Sequence, residues 1–222
     1  MRRREMVPFV RLDDAHKSAV RHVYESSFPL ALRAPWDEIV AGRSDEGLLV
    51  LLDDGSPGDP PVGLVLFRHL GSTSMTFLRY FVVDAERRGQ GHGSALFSAL
   101  VDHLRDAGRT MLLLDVEDPD GRPADSPERR DDLRRIDFYR RHGVHLLAVQ
   151  DYSPPDHGQD SEEPRLLLMG AVLSPPDEGG HLHGPAPAGS TLRDAVMAVY
   201  RNRYGLAPDH PVVQSTLRAS GL

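Results

Sequence analysis

The chain of 222 residues contains no cysteine. This absence excludes a disulfide framework, a thiolate metal site and a cysteine nucleophile, so any group transfer proceeds without a cysteinyl intermediate. Lysine is almost as scarce, since Lys17 is the single lysine among 26 basic residues. A P-loop is excluded in turn, because its phosphate-binding sequence requires a lysine directly after the last glycine.

Long apolar segments and an excess of positive charge are also missing. No apolar run reaches the roughly 18 residues that identify a membrane-spanning helix, and no apolar region follows the arginines at 2–4 to form a signal peptide. We therefore expect a cytoplasmic protein with no membrane partner. The net charge of −7 argues against nucleic acid as a partner, because basic residues that neutralise phosphates supply most of that affinity.

What the sequence does contain is a regular alternation of apolar segments over residues 5–173. The predicted strands span 5–12, 47–53, 61–69, 75–83, 110–117, 144–152 and 164–173. The predicted helices span 15–28, 36–41, 95–107 and 128–142. Only the strand–helix–strand segment 75–117 requires a parallel pair. The prediction is an α+β fold with a mixed, mostly antiparallel sheet of about seven strands and flanking helices.

The composition changes near residue 174, where proline, glycine and histidine become frequent. We predict a domain over 1–173 and, over 174–222, a linker followed by a C-terminal helical extension. A Thr191-x-x-Asp194 cap would begin its first helix, which would end at Gly205, and a second helix would follow over 211–219. The extension is too short to fold alone, so we expect it to dock on its own domain or on a homodimer partner.

The most informative segment is the glycine-rich stretch 81–94, where a strand ends and a helix begins. Its glycines, Gly89, Gly91 and Gly93, allow a ligand to approach the backbone, and the N–H groups at the start of the helix can bind a phosphate. A dinucleotide-binding fingerprint does not fit, because the third glycine falls one position early.

The pattern Arg88-x-x-Gly91-x-Gly93 within residues 81–94 resembles the acetyl-CoA signature of the GNAT superfamily of N-acetyltransferases. Residues 138–144, FYRRHGV, resemble the family's Phe-Tyr-x-x-x-Gly-Phe segment, with Val144 in place of the second phenylalanine. The resemblance covers about residues 5–173. It implies a GNAT-like fold and direct acetyl transfer from acetyl-CoA to a primary amine in a ternary complex. A non-catalytic acyl-CoA-binding sensor or scaffold is the alternative.

The resemblance also implies which residues bind acetyl-CoA. The backbone groups of Phe81, Val82 and Val83 would pair with the pantetheine arm as an added strand does. The pyrophosphate would be held near Arg88 by the amides that follow it, those of Gly89, Gln90, Gly91, His92, Gly93 and Ser94. No metal is expected, and the pair His181 and His183 lies in a linker rich in proline and glycine.

Two acidic residues on the strand 110–117 are candidates for the general base. Asp115 and Glu117 point to the same face by two-residue alternation. Close carboxylates repel each other's charge, which raises the pKa of at least one of them. We select Glu117 as the base, acting directly or through water, with Asp115 as the second candidate. Glu117 could instead bind the acceptor through charge alone, and Asp115 could be a hydrogen-bonded carboxylate inside the sheet.

Tyr139 of the second motif is the candidate general acid. The resemblance implies that this tyrosine lies near the CoA sulfur and protonates the departing thiolate, and the alternative is a core tyrosine packed on the sheet. Arg134 and Arg135, which precede it on the same predicted helix, are expected on a solvated face in ion pairs with neighbouring aspartates.

Negative charge is concentrated in two segments. Residues 118–132 contain six acids and three arginines, and residues 151–163 contain five acids and no basic residue. The resemblance implies that both flank the acceptor side of a cleft, which Tyr152 would also line. We therefore expect a cationic small-molecule amine as the acceptor, drawn in by the negative field. A protein amine is the alternative acceptor. The alternative for the two acidic segments is that they are solvated loops without a role in acceptor binding.

Overall fold

The computed structural model describes residues 5–28, 33–53, 60–155, 165–173, 182 and 184–222. The strands are β1 (Glu5–Pro8), β2 (Glu46–Leu52), β3 (Pro61–His69), β4 (Met75–Val83), β5 (Met111–Glu117), β6 (His145–Leu146) and β7 (Leu166–Val172). The helices are α1 (Asp14–Ser27), α2 (Trp36–Ala41), α3 (His92–Asp106), α4 (Pro127–Arg141), α5 (Gly189–Ala198) and α6 (Pro211–Ala219). The order of elements agrees with the predicted order.

The seven strands form one sheet in the order β1-β2-β3-β4-β5-β7-β6. The pairs β1–β2, β2–β3, β5–β7 and β6–β7 are antiparallel. Strands β4 and β5 are parallel, and their pairing joins residues 75–77 to residues 111–113 and ends there. The predicted α+β architecture, with its mixed and mostly antiparallel sheet, is therefore confirmed.

The strand predicted over 144–152 is much shorter, since β6 contains only His145–Leu146. Beyond it, the backbone bonds to the end of the chain instead of continuing along the sheet. The amide of Gln150 donates to the Ser220 hydroxyl at 2.8 Å, and the carbonyl of Asp151 accepts from the Thr216 hydroxyl at 2.8 Å. The C-terminal helix thus takes the hydrogen bonds that a longer strand would have used.

Two other predicted boundaries are also wrong. The first strand ends at Pro8 rather than at residue 12, because a 3-10 turn over Phe9–Arg11 follows it. Helix α5 begins at Gly189, with Ala188 at the N-cap and no capping side chain. The predicted cap at Thr191 therefore lies inside the helix.

The chain divides into two compact units. The first contains the residues up to Arg68 together with Leu78–Asp106, and the second contains His69–Phe77 together with Ala107–Leu222. Among the described helices, none is both long and apolar enough to cross a membrane.

The core of the first unit lies between α1 and the strands β2 and β3. Helix α1 begins where Asp13 caps it, accepting a hydrogen bond from the His16 amide at 2.9 Å. The buried side chains that pack there include Val20, Val23, Tyr24, Val50, Leu64 and Leu66. Apolar contacts thus fix α1 against the strands that precede β4.

A buried carboxylate also connects three neighbouring strands of this unit. The side chain of Glu46 on β2 is 3% exposed, and it forms ion pairs with Arg68 on β3, at 2.6 Å, and with Arg79 on β4. A buried charge is tolerated only when opposite charge compensates it. This triad therefore holds β4 in place beside β3.

The core of the second unit contains side chains from strands β5 and β7 and from the C-terminal extension. Leu113 on β5 and Leu168 on β7 share one buried cluster with Val196, Val199 and Leu217 of the extension. The extension thus packs on its own chain, which is one of the two docking sites expected from the sequence.

Substitutions at two glycines test the close contact between the linker of the extension and the turn that follows α4. Gly143 has a φ of +80°, and a Cβ there would overlap the carbonyl of Leu182. We expect Gly143→Ala to lower the free energy of unfolding by about 2–4 kcal/mol, since a backbone clash adds to left-handed strain. Gly108→Ala should lower the free energy of unfolding by only about 1–2 kcal/mol, the cost of the left-handed backbone strain. Gly108 has a φ of +70°, but a Cβ there would point into open space and meet no clash. Equal losses in urea unfolding would contradict this prediction.

Candidate functional site

The loop that follows β4 frames the start of helix α3. Asp84 caps a short 3-10 turn by accepting from the Glu86 amide at 3.2 Å, and its own amide donates to the Val62 carbonyl at 2.9 Å. Gly89 and Gly91 then adopt φ values of +76° and +77°. These left-handed conformations favour glycine, and they lead the chain directly into α3 at His92.

This loop leaves room for a ligand at the helix N-terminus. Apart from the glycine itself and its two chain neighbours, no heavy atom of the described residues lies within 4 Å of a Cβ built on Gly89 or Gly91. The first-turn N–H groups of a helix have no intrahelical acceptor and carry partial positive charge. The side chain of His92 is buried. The arrangement fits an anionic group such as a pyrophosphate.

The arginines of the loop are already engaged within the protein. Arg87 forms an ion pair with the buried Asp53 at 3.3 Å, and Arg88 donates from Nε to the Val83 carbonyl at 3.1 Å. A phosphate at this loop would therefore be held mainly by backbone amides.

Strand β4 approaches β3 closely just before this loop. A Cβ added to Gly63 on β3 would lie 2.5 Å from the Val82 carbonyl, so only glycine permits the observed distance. Val82 is buried, whereas Phe81 and Val83 are half-buried. Because the pairing of β4 with β5 stops at residue 77, the backbone of residues 78–83 is not paired with β5.

In the second unit, Asp115 and Glu117 lie on the same face of β5, as predicted. Their register partners on β7 are Leu168 and Leu166. Each carboxylate has its own arginine: Glu117 forms an ion pair with Arg135, and Asp115 lies 3.6 Å from Arg203. The mutual repulsion expected from the sequence is thus opposed by two cations.

Asp115 is the centre of a hydrogen-bond network. The hydroxyls of Tyr152 and Tyr204 each donate to Asp115 Oδ2 at 3.2 Å. Arg203 also stacks on the ring of Phe77 at 4.2 Å. Asp115 is therefore the hydrogen-bonded carboxylate that the sequence left as an alternative, which favours Glu117 as the base.

The tyrosines of this network keep their protons. Burial, and then the charge of Asp115, raises the pKa of Tyr152 well above its ordinary value and that of Tyr204 to about 12. Tyr152 was expected to line an acceptor pocket, but its side chain is buried and bonded to Asp115. Sequence patterns gave no sign of Arg203 and Tyr204, which come from the extension and reach β5 only through the tertiary fold.

Tyr139 is buried on α4, with 6% of its surface exposed. Burial raises its pKa above the ordinary value of 10, the Asp115 carboxylate adds to the rise, and the Arg135 guanidinium opposes it. The phenol is therefore neutral at physiological pH and can donate a proton. Tyr139 and Glu117, the two predicted catalytic residues, are thus both within the influence of Arg135.

The prediction that Arg135 lies on a solvated face is wrong in part. Its guanidinium lies 3.8 Å from Asp132, as the helical spacing indicates, but it also pairs with Glu117 on β5. Asp132, which is 4% exposed, forms a second ion pair with Arg122 at 3.2 Å. Spacing along the helix predicts contacts within α4 only, so the pair with Glu117 could not be found that way.

The acidic segment 118–132 is largely compensated by arginines. Asp120 pairs with Arg129 at 3.2 Å, Asp131 pairs with Arg134, and Asp118 caps a 3-10 turn. Residues 156–163 of the second acidic segment lie outside the described residues, as do His181 and His183. In the part of the chain that the structure describes, no group of three or more acidic or histidine side chains is arranged to hold a metal ion.

Similarity to known proteins agrees with these features. Residues 13–144, more than half of the chain, match the model of the acetyltransferase (GNAT) family. A GNAT-family protein from Bacteroides thetaiotaomicron superposes with a TM-score of 0.62 at 19% identity, over 92% of this chain and 99% of that one. The ribosomal-protein-S18-alanine N-acetyltransferase from Escherichia coli superposes with a TM-score of 0.53 at 18% identity, over 79% and 97%. No curated protein sequence matches the chain.

The pairing of Asp115 with the extension can be tested by removing its cation. We expect Arg203→Met to lower the free energy of unfolding by about 1–3 kcal/mol, because a half-buried carboxylate loses its compensating charge. Arg201→Met, an exposed arginine of the same segment, should change it by less than about 0.5 kcal/mol. Urea unfolding at pH 7 measures both. If Asp115→Asn does not restore part of the stability lost in Arg203→Met, the pairing is not the cause.

Proposed function

The chain belongs to the GNAT acetyltransferase family, and we propose that it transfers an acetyl group from acetyl-CoA directly to a primary amine while both are bound. The family uses acetyl-CoA as its acetyl donor. The observation that carries the proposal is the open, glycine-framed N-terminus of α3, whose geometry suits a pyrophosphate. A non-catalytic acyl-CoA sensor or scaffold is the competing function, and the presence of both Glu117 and Tyr139 favours the enzyme.

Two segments of the first unit are proposed to bind acetyl-CoA. The backbone of Phe81, Val82 and Val83, which lies beyond the residues where β4 pairs with β5, would hydrogen-bond to the pantetheine arm. The amides of Gly89, Gln90, Gly91, His92, Gly93 and Ser94 would hold the pyrophosphate. Arg88, which bonds back to the Val83 carbonyl, would add positive charge beside it.

The proposed reaction uses two groups of the second unit. Glu117 takes a proton from the acceptor ammonium, and the freed amine attacks the thioester carbonyl. As the C–N bond forms and the C–S bond breaks, Tyr139 gives its proton to the CoA sulfur. The second proton lost by the amine nitrogen restores the phenol, so the products are the amide and free CoA. The absence of cysteine agrees with transfer in one step between the two substrates.

The proposed acceptor is a cationic small-molecule amine. Because arginines compensate much of the acidic segment 118–132, this proposal depends on the net charge of −7 and on the five acids of 151–163. Negative charge of this kind raises the local concentration of cationic substrates, and salt weakens it beyond roughly 8–10 Å. A protein amine is the competing acceptor.

Acetyl-CoA binding should depend on Gly91. We expect Gly91→Val to weaken binding about tenfold, equivalent to about 1.4 kcal/mol, because a branched side chain enters the space left for the phosphate and strains the loop. Isothermal titration calorimetry with acetyl-CoA measures the effect. The control is Gly108→Val, which imposes similar backbone strain two residues beyond the C-terminal end of α3. This variant should bind acetyl-CoA with the affinity of the wild type. Wild-type protein that binds no acetyl-CoA would contradict both the enzyme and the sensor.

Acetyl transfer should depend on Glu117 and Tyr139. We expect Glu117→Gln and Tyr139→Phe each to lower kcat by roughly 10²–10⁴, the usual contribution of a general base or acid. The assay follows free CoA with the best acceptor from a panel of amines that differ in charge and include a peptide α-amine. Asp102→Asn, an exposed helix position, is the control. Full activity in both variants would refute the assigned roles, and wild-type binding without CoA release would favour the sensor.

A further inference from the structure

Arg135 lies between acidic groups on two different elements. Its guanidinium forms an ion pair with Glu117 on β5 and lies 3.8 Å from Asp132 on α4. Asp132 is itself nearly buried and lies 3.2 Å from Arg122. The result is a row of alternating charges, Glu117, Arg135, Asp132 and Arg122. Because carboxylates hold the guanidinium from both sides, its position is fixed more strongly than that of a single surface pair.

Arg135 also acts on Tyr139. The two residues are four positions apart on α4, so their side chains lie on the same helix face. The positive charge of Arg135 stabilises the phenolate form of Tyr139, opposing the effect of burial on its pKa. One arginine therefore pairs with the carboxylate that is proposed to accept a proton and acts electrostatically on the phenol that is proposed to donate one.

We propose that Arg135 is a positioning residue for acetyl transfer: it orients the Glu117 carboxylate and stabilises the negative charge that passes to Tyr139. This inference rests on the proposed function. Before transfer, Glu117 is the anion beside the guanidinium. After Glu117 has gained a proton and Tyr139 has given its proton to the sulfur, Tyr139 is the anion. The Arg135 guanidinium thus has one anionic catalytic neighbour in both states. The negative charge moves from Glu117 to Tyr139 while the guanidinium remains its counterion.

The other charged groups around this pair are compensated separately. On β5, Asp115 has Arg203 and accepts hydrogen bonds from Tyr152 and Tyr204. On α4, Asp132 has Arg122 as a second cation. Arg165 precedes the β7 partner of Glu117 and is exposed. Arg135 is consequently the arginine whose loss leaves Glu117 without its ion-pair partner.

The pH dependence of the reaction tests this role. We expect Arg135→Met to lower kcat at least tenfold and to shift the acidic limb of the kcat profile upward by about 1 pH unit or more, because a carboxylate without its cation is protonated more readily. The KM for acetyl-CoA should stay within about twofold of the wild-type value. Arg135→Lys keeps the positive charge but loses the planar guanidinium that can bind a carboxylate through two N–H groups. The acidic limb of its profile should therefore stay close to that of the wild type, while its kcat should be partly reduced.

Arg134→Met is the matched control, since it removes a neighbouring arginine that pairs with the exposed Asp131. Its profile should match that of the wild type. If Arg135→Met does not fold, judged by circular dichroism and urea unfolding, Arg135→Gln provides the same loss of charge with a polar side chain. A loss of kcat with an unshifted acidic limb would overturn the inference, because a merely structural role predicts that result. Wild-type protein that releases no CoA would instead overturn the proposed function.

Discussion

Two carboxylates at alternate positions of one strand require positive charge beside them, and the second unit is built to supply it. Taking a carboxylate out of water costs several kcal/mol unless a cation compensates it. Glu117 receives that cation from α4 as Arg135, and Asp115 receives it from the C-terminal extension as Arg203. The same requirement therefore fixes α4 and the extension against β5. The surroundings of the two carboxylates differ, since Asp115 also accepts hydrogen bonds from two tyrosines while Glu117 forms an ion pair with Arg135.

The candidate anion site in the first unit depends on backbone geometry rather than on net charge. Arg87 is paired with Asp53, and Arg88 is bonded to the Val83 carbonyl. What the loop offers a phosphate is the first turn of α3, reached through two glycines with positive φ. Backbone amides attract an anion without adding formal charge. This explains how a chain with a net charge of −7 can be suited to bind a highly anionic substrate.

Elements whose signals are local could be predicted from the sequence. Periodicity, proline and glycine specify local elements within a few residues. The strand–loop–helix around residues 75–106, the short helix Trp36–Ala41 and the last helix Pro211–Ala219 accordingly lie at or within three residues of their predicted positions. The prediction of a strand over 144–152 was wrong because the backbone of Gln150 and Asp151 forms hydrogen bonds with Ser220 and Thr216, which are far away in the sequence. Periodicity carries no information about such partners.

The candidate site divides in the same way. Asp115 and Glu117 share a face because strand alternation is a local rule. Their arginines could not be found, since Arg135 reaches Glu117 across 18 positions of sequence and Arg203 reaches Asp115 from the extension. Helical spacing predicted the contact of Arg135 with Asp132 and nothing beyond its own helix. The roles of Glu117 and Tyr139 remain predictions, now with a common neighbour that the sequence did not indicate.

One irregularity in the extension controls which of its side chains reach β5. After α5, residues Val199–Arg203 form a π-helical turn, which holds more residues than an α-helical turn. Arg203 ends this turn and Tyr204 follows it. An α-helix rotates by about 100° per residue, so deleting one residue within the turn would swing both side chains away from Asp115. The length of this segment therefore matters to the contact as well as the identity of Arg203, because it sets the rotation that brings Arg203 and Tyr204 to Asp115.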